Sequence, residues 1–131
     1  MNKIYIPGDL VKYNGKVYRV INSGSNGLYY ISELMSRSME SSELSPIPLT
    51  LEILKKNRWT ETKHRVDEDN FEWYEYENPE VKEIVFQYYP ESDIDMFSTF
   101  YYGDSEMIQI NYVHELQHLL FGLGIDYKIE I

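Results

Sequence analysis

The sequence predicts an α+β fold, and three observations carry that reading. Asn14-Gly15 stands between two apolar runs. A type I′ hairpin turn favours this dipeptide because both central residues take positive φ. Runs of aromatic and β-branched residues recur between 71 and 110, separated by turn-forming residues. Residues 112–123 place apolar side chains at helical spacing. The 131 residues, 43% of them hydrophobic, suffice for one domain, or one domain with a small subdomain, with its own core.

The elements follow in chain order. Leu10–Tyr13 and Lys16–Ile21 read as the arms of the first hairpin, and a turn over Gly24–Gly27 leads into Leu28–Ile31. Residues 36–45 are polar and read as a loop. Gly8-Asp9-Leu10-Val11 followed by the hairpin is similar to the opening of SH3-like barrels. An SH3-like β-barrel or meander over 1–48 is therefore the expectation, with no ligand implied. Pro46-Ile47-Pro48 is a stiff connector. Thr50 is placed to cap a short helix running to Lys56, with Asn57 stopping it in a left-handed conformation. Residues 60–70 are polar and read as an outward loop.

The region 49–131 reads as an antiparallel sheet with one amphipathic helix. Strands are expected at Phe71–Tyr76, Val81–Tyr89, Met96–Tyr102 and Met107–Ile110. Breaks are expected at Pro90–Asp93 and Gly103–Ser105. Asn111 is placed to cap the C-terminal helix, and Gly122 and Gly124 to end it. Tyr127–Ile131 alternates polar and apolar and predicts a final strand.

Composition excludes several classes of function. The chain has no cysteine, hence no disulfide, no thiol nucleophile and no Cys-based zinc site. No apolar run reaches the length of a signal peptide or a membrane span, so a cytoplasmic protein, bacterial or viral, is expected, with no membrane partner. The net charge of −10 is unevenly spread. Residues 1–66 hold ten Lys/Arg against six Asp/Glu, and residues 67–131 hold two against sixteen. Such a balance repels duplex nucleic acid at long range.

Three constellations are candidates for chemistry. His114-Glu115-Leu116-Gln117-His118 matches the H-E-x-x-H pattern, in which His114 and His118 would bind zinc from one helical face and Glu115 would serve as general base. Helical phase sets both histidines opposite the apolar stripe of Tyr112, Val113, Leu116, Leu119, Leu120 and Leu123, towards solvent or a cleft. No third ligand stands at a recognised spacing, because Phe121 and Gly124 occupy the positions where the longer zincin pattern has its Gly and last His. The pattern is therefore read as incidental, with no catalytic residue and no cofactor; a minimal zinc hydrolase is the alternative. Lys55, Arg58, Lys63 and Arg65 surround Trp59 and form a candidate nucleotide site, in which cations hold phosphate and the indole stacks a base, so that a sponge for a nucleotide second messenger is a further alternative. Glu72, Tyr74, Glu75, Tyr76 and Glu77 form an acidic, Tyr-rich run suited to a basic protein partner, or to guarding a strand edge against aggregation. With 13 tyrosines in the chain, a homo-oligomer is also compatible with the composition.

Pro46 to Leu54, together with Tyr112-Val113-His114-Glu115-Leu116-Gln117, resembles a family of small uncharacterised proteins encoded by phages, prophages and mobile elements of gut Bacteroidetes. Members open with a G-D-L-V-like strand and an N-G-K-V-Y hairpin, as do Gly8–Val11 and Asn14–Tyr18. The resemblance spans most of the chain outside 60–105. Its helix pattern, Y-V-H-x-L-Q, requires neither Glu115 nor His118, which speaks against the zincin reading. The resemblance carries no activity and no site residues. It implies a small acidic accessory protein, non-enzymatic, that binds and blocks a host or defence factor.

Overall fold

A computed structural model of the chain describes residues 5–23, 27–34, 37–90, 96–101 and 108–131. The expected turn at 24–26, the break at 91–93, the turn at 103–105 and the strand residues Tyr102 and Met107 lie outside the described residues. The architecture is α+β, with two antiparallel sheets of four and five strands. Two compact units emerge: residues 1–48 with 112–117, and residues 49–111 with 118–131. The division after Pro48 coincides with the stiff connector, whereas Tyr112–Gln117 joins the first unit although it lies far along the chain.

The first unit is built on β1 (Leu10–Tyr13), β2 (Lys16–Ser23), β3 (Tyr29–Ile31) and β4 (Ser45–Pro46), in the order β3-β2-β1-β4. Asn14 and Gly15 take φ of 50° and 78°, the positive values that the tight β1–β2 turn requires. The sheet does not close into a barrel: among the described residues β3 and β4 remain its edges. The physical reason lies in β4, which is two residues long and flows into Pro46 and Pro48, neither of which has an N–H to donate to a further strand. Of the expected barrel or meander, the meander is what forms: β1 to β3 in succession, with β4 returning beside β1. Tyr5, Val11, Val20, Tyr29, Ile31, Met39 and Leu44 form its buried core.

The second unit carries α1 (Leu51–Lys56) and the meander β5 (Thr60–Val66), β6 (Glu72–Asn78), β7 (Val81–Tyr89), β8 (Met96–Tyr101) and β9 (Ile108–Ile110). Thr50 caps α1 as expected, its hydroxyl accepting from the Ile53 N–H at 3.2 Å. The left-handed residue after α1 is Arg58 (φ 70°), not Asn57 (φ −97°). Residues 60–66, expected to loop out, form the edge strand β5, with all seven side chains exposed. A strand that buries neither face gives no apolar alternation to read; its signal is β-branched Thr60, Thr62 and Val66 alternating with charged Glu61, Lys63 and Arg65.

Cross-strand register assigns the two faces of this sheet. Tyr74 and Tyr76 stand opposite Tyr88 and Phe86, which stand opposite Phe97 and Thr99. This is the core side, where Trp59 packs edge-on against Phe86 and Tyr127 at centroid distances of 5.5 and 5.8 Å. Glu75 and Glu77 stand opposite Gln87 and Val85 on the other side, together with Lys63, Arg65 and Trp73.

The final helix, α2 (Val113–Gly122), contributes Val113–Gln117 to the first unit and the remainder to the second. Its cap is Tyr112 instead of Asn111. Glu115, three residues on, reaches back to accept from the Tyr112 N–H at 2.9 Å. The helix starts late because Pro48 bridges Tyr112 and so holds that residue extended. Gly124, with φ of 72°, ends it in a Schellman turn in which the Ile125 N–H donates to the Leu120 carbonyl at 2.9 Å. None of the described helices is long and apolar enough to cross a membrane.

Tyr127–Ile131 takes no regular secondary structure and joins neither sheet, which corrects the expected final strand. It is held by a side chain instead. The Asn57 amide donates to the Glu130 carbonyl at 2.7 Å and accepts from the Glu130 N–H at 2.7 Å. The alternation that suggested a strand is nevertheless used, since Ile129 is buried while Lys128 and Glu130 are exposed.

Candidate functional site

The H-E-x-x-H residues are engaged in holding the fold. His114 is half-buried, its ring edge-on to Tyr5 at 5.1 Å and stacked near Tyr112 at 5.9 Å. It therefore packs within the first unit instead of facing solvent or a cleft. The Glu115 carboxylate caps the helix. His118 is half-buried in the second unit. No group of three or more His, Asp or Glu among the described residues comes together as a set that could hold a metal ion. Burial, and behind it the neighbouring Tyr29, Asp9 and Tyr112, push the Tyr5 phenol up to about 12.

The acidic, Tyr-rich run is divided by the pleat of β6. Glu72, Tyr74 and Tyr76 point to the core side, and Tyr76 is only 4% exposed. Burial, followed by the charge of Glu61, raises its phenol pKa above the ordinary value. His64 stacks on Tyr74 at 4.4 Å and pairs with Glu72 at 2.9 Å. Glu75 and Glu77 point to the opposite side, where Glu75 is 7% exposed and bound by the Arg65 guanidinium. The five residues thus share a strand but not a surface, because successive side chains on a strand alternate sides.

The candidate nucleotide residues are dispersed in the same way. Trp59 is wholly buried on the core side, in T-shaped contact with Phe86 and Tyr127. Lys55 lies in the last turn of α1, and Arg58 pairs with Glu80. Lys63 and Arg65 alone of the five share a face, and the aromatic beside them is Trp73, directly across from Arg65 in the register. These three, with Glu75, Glu77, Val85 and Gln87, line a hollow of about 430 Å³. A second hollow of about 550 Å³, lined by Thr60, Thr62, Glu77, Asn78, Pro79 and Lys82, meets the first at Glu77. Phe71, 41% exposed, lies 6.2 Å from Trp73 and 5.6 Å from Tyr89 at the other end. Sequence reasoning missed Trp73 and Gln87. Their common face with Lys63 and Arg65 becomes legible only once 60–66 is a strand in register with β6.

Charge divides with the folding units. The first holds five Lys/Arg against five Asp/Glu and is neutral; the second holds seven against seventeen and carries the entire −10. Comparison with protein-family models, with curated proteins and with solved structures finds no significant match.

Proposed function

We propose that the protein is a non-enzymatic binding protein whose acidic second unit engages a basic surface of a partner protein. The observation that carries this reading is the division of charge: one unit is neutral and the other holds the full −10. A field concentrated on one unit steers a basic partner to that unit and discriminates against acidic ones. The carboxylates with most freedom to contribute lie at the two hairpin ends. Glu68 and Asp69 are exposed in the β5–β6 turn, and Glu83 is exposed at the β6–β7 end, where Glu80 is already paired with Arg58. Asp67 has a different task, since its carboxylate accepts the Asp69 and Phe71 N–H groups at 2.9 Å and shapes the turn. The resemblance to phage and mobile-element proteins sets the context, an accessory factor that occupies a host or defence protein in the bacterial cytoplasm.

The test is affinity capture from host lysate, followed by titration of the purified partner at several salt concentrations. Neutralising Glu68, Asp69 and Glu83 to Gln, Asn and Gln leaves the internal ion pairs intact. Binding is expected to weaken at least about tenfold, with a shallower salt dependence. Equal binding by wild type and triple variant at every salt concentration would remove the reading.

A further inference from the structure

The turn between β5 and β6 sets an exposed aromatic ring beside two unengaged carboxylates. Asp67 fixes the turn: its carboxylate accepts the N–H groups of Asp69 and Phe71, and its own N–H donates to the Phe71 carbonyl, all at 2.9 Å. Asn70, with φ of 61°, supplies the left-handed residue. A segment held in this way loses little conformational freedom when a partner docks on it. Phe71 is 41% exposed, and its ring lies 6.2 Å from Trp73 and 5.6 Å from Tyr89. Trp73 and Tyr89 are half-buried, and the Tyr89 hydroxyl donates to Gln87 at 2.5 Å, which restrains that ring. The three rings form one aromatic surface, of which Phe71 is the member most open to solvent. Glu68 and Asp69 are exposed in the same turn, and neither carboxylate is engaged by another described residue. Arg65, across the register from Trp73, is already taken up by Glu75.

We infer that Phe71 anchors a docking surface for an arginine-bearing, basic segment of a partner protein. The inference rests on the acidic unit being the docking region and names the contact made within it. Charge selects the class of partner: the unit carries the full −10, and the turn adds Glu68 and Asp69 next to the ring. The ring selects the residue. A guanidinium is planar and weakly hydrated, so it lies flat on an aromatic face while its edge donates to a carboxylate. A lysine ammonium is compact and strongly hydrated and gains less from the same surface. An aromatic anchor beside charges that steer the encounter is also how binding energy concentrates in protein interfaces.

The test is titration of the intact chain with labelled hexa-arginine and hexa-lysine peptides, read by fluorescence anisotropy. Hexa-arginine is expected to bind more tightly than hexa-lysine at about 0.15 M salt. Phe71→Leu keeps apolar cover over Trp73 but removes the π face. It is expected to weaken hexa-arginine about two- to fivefold and to narrow the gap between the peptides. Phe71→Tyr should retain wild-type binding. Phe121→Leu, at a ring on α2 that is 77% exposed, should leave both peptides unaffected. Glu68→Gln with Asp69→Asn should weaken both peptides and flatten their salt dependence. Equal affinity for the two peptides would overturn the inference, as would hexa-arginine binding that Phe71→Leu leaves unchanged or that Phe121→Leu weakens as much. Where the carboxylate variant alone loses affinity, the arginine anchor falls and the acidic docking region stands. Where no variant loses affinity, both fall.

Discussion

The two units solve one structural problem with the same chemistry and with different strength. Each must hold a segment at a place where regular strand pairing has stopped. In the first, the Gln117 amide accepts from the Leu10 N–H at 2.9 Å and donates to the Gly8 carbonyl at 3.0 Å. In the second, the Asn57 amide makes the same pair of bonds to the N–H and carbonyl of one residue, Glu130. A carboxamide carries the same donor and acceptor as a peptide unit, so it can stand in for one residue of a partner strand. Asn57 is the more committed of the two. It is 2% exposed, also donates to the Ile53 carbonyl at 2.8 Å, and its own carbonyl accepts from Asn78 and Tyr127. The difference teaches that Asn57 gathers several ties of the acidic unit at one buried side chain, whereas the Gln117 tie of the neutral unit is half-buried and stands beside others made by Asp9 and Arg19.

That comparison can be broken most severely at Trp59. Trp59→Ala removes the largest buried side chain of the second unit and is expected to cost about 3–5 kcal/mol. Amide exchange should accelerate across 49–111 and 118–131 before it does in 1–48; equal acceleration in both would mean that the units do not open separately. Next is the pair of amide ties. Asn57→Ala is expected to lower stability by about 2–3 kcal/mol and Gln117→Ala by about 1–2 kcal/mol, as read from urea midpoints. A Gln117 effect equal to or larger than that of Asn57 would contradict that difference.

The smallest effect sharpens the contrast in the first unit. The Tyr5 hydroxyl is buried with no hydrogen-bond partner among the described residues. Tyr5→Phe should therefore change stability at neutral pH by less than about 1 kcal/mol. At alkaline pH the two proteins diverge. The folded phenol holds its proton up to about 12, against an ordinary value of 10.0. Its contribution is complete below the unfolded value and is lost as pH rises through the folded one. Wild type should thus lose more stability than Tyr5→Phe between about pH 9 and about pH 11. Parallel losses in denaturant titrations at the two pH values would show that Tyr5 is not responsible.

Much of the fold was legible because it is written in short-range chemistry. Asn14-Gly15 requires a tight turn, Thr50 caps α1, Gly124 permits the left-handed end of α2, and the apolar stripe of α2 places Val113, Leu116 and Leu120 inside. The candidate sites were less legible. A charge or an aromatic ring has the same letter on either side of a sheet, and only the register decides which residues meet. Trp59 and Trp73 show this most directly: one closes a core and the other lines a surface hollow.

The sequence by itself determined the fold class, most of the turns and caps, and the concentration of acid in the second half of the chain, since each depends on residues a few positions apart. Tertiary structure decided the rest. It made 60–66 an edge strand through pairing with β6, turned Glu115 from a base candidate into a helix cap, and held the C-terminal segment on the Asn57 side chain. Glu130 lies 73 residues from Asn57. A bond across that separation forms only after both segments are placed by packing, and no local pattern in the chain records it.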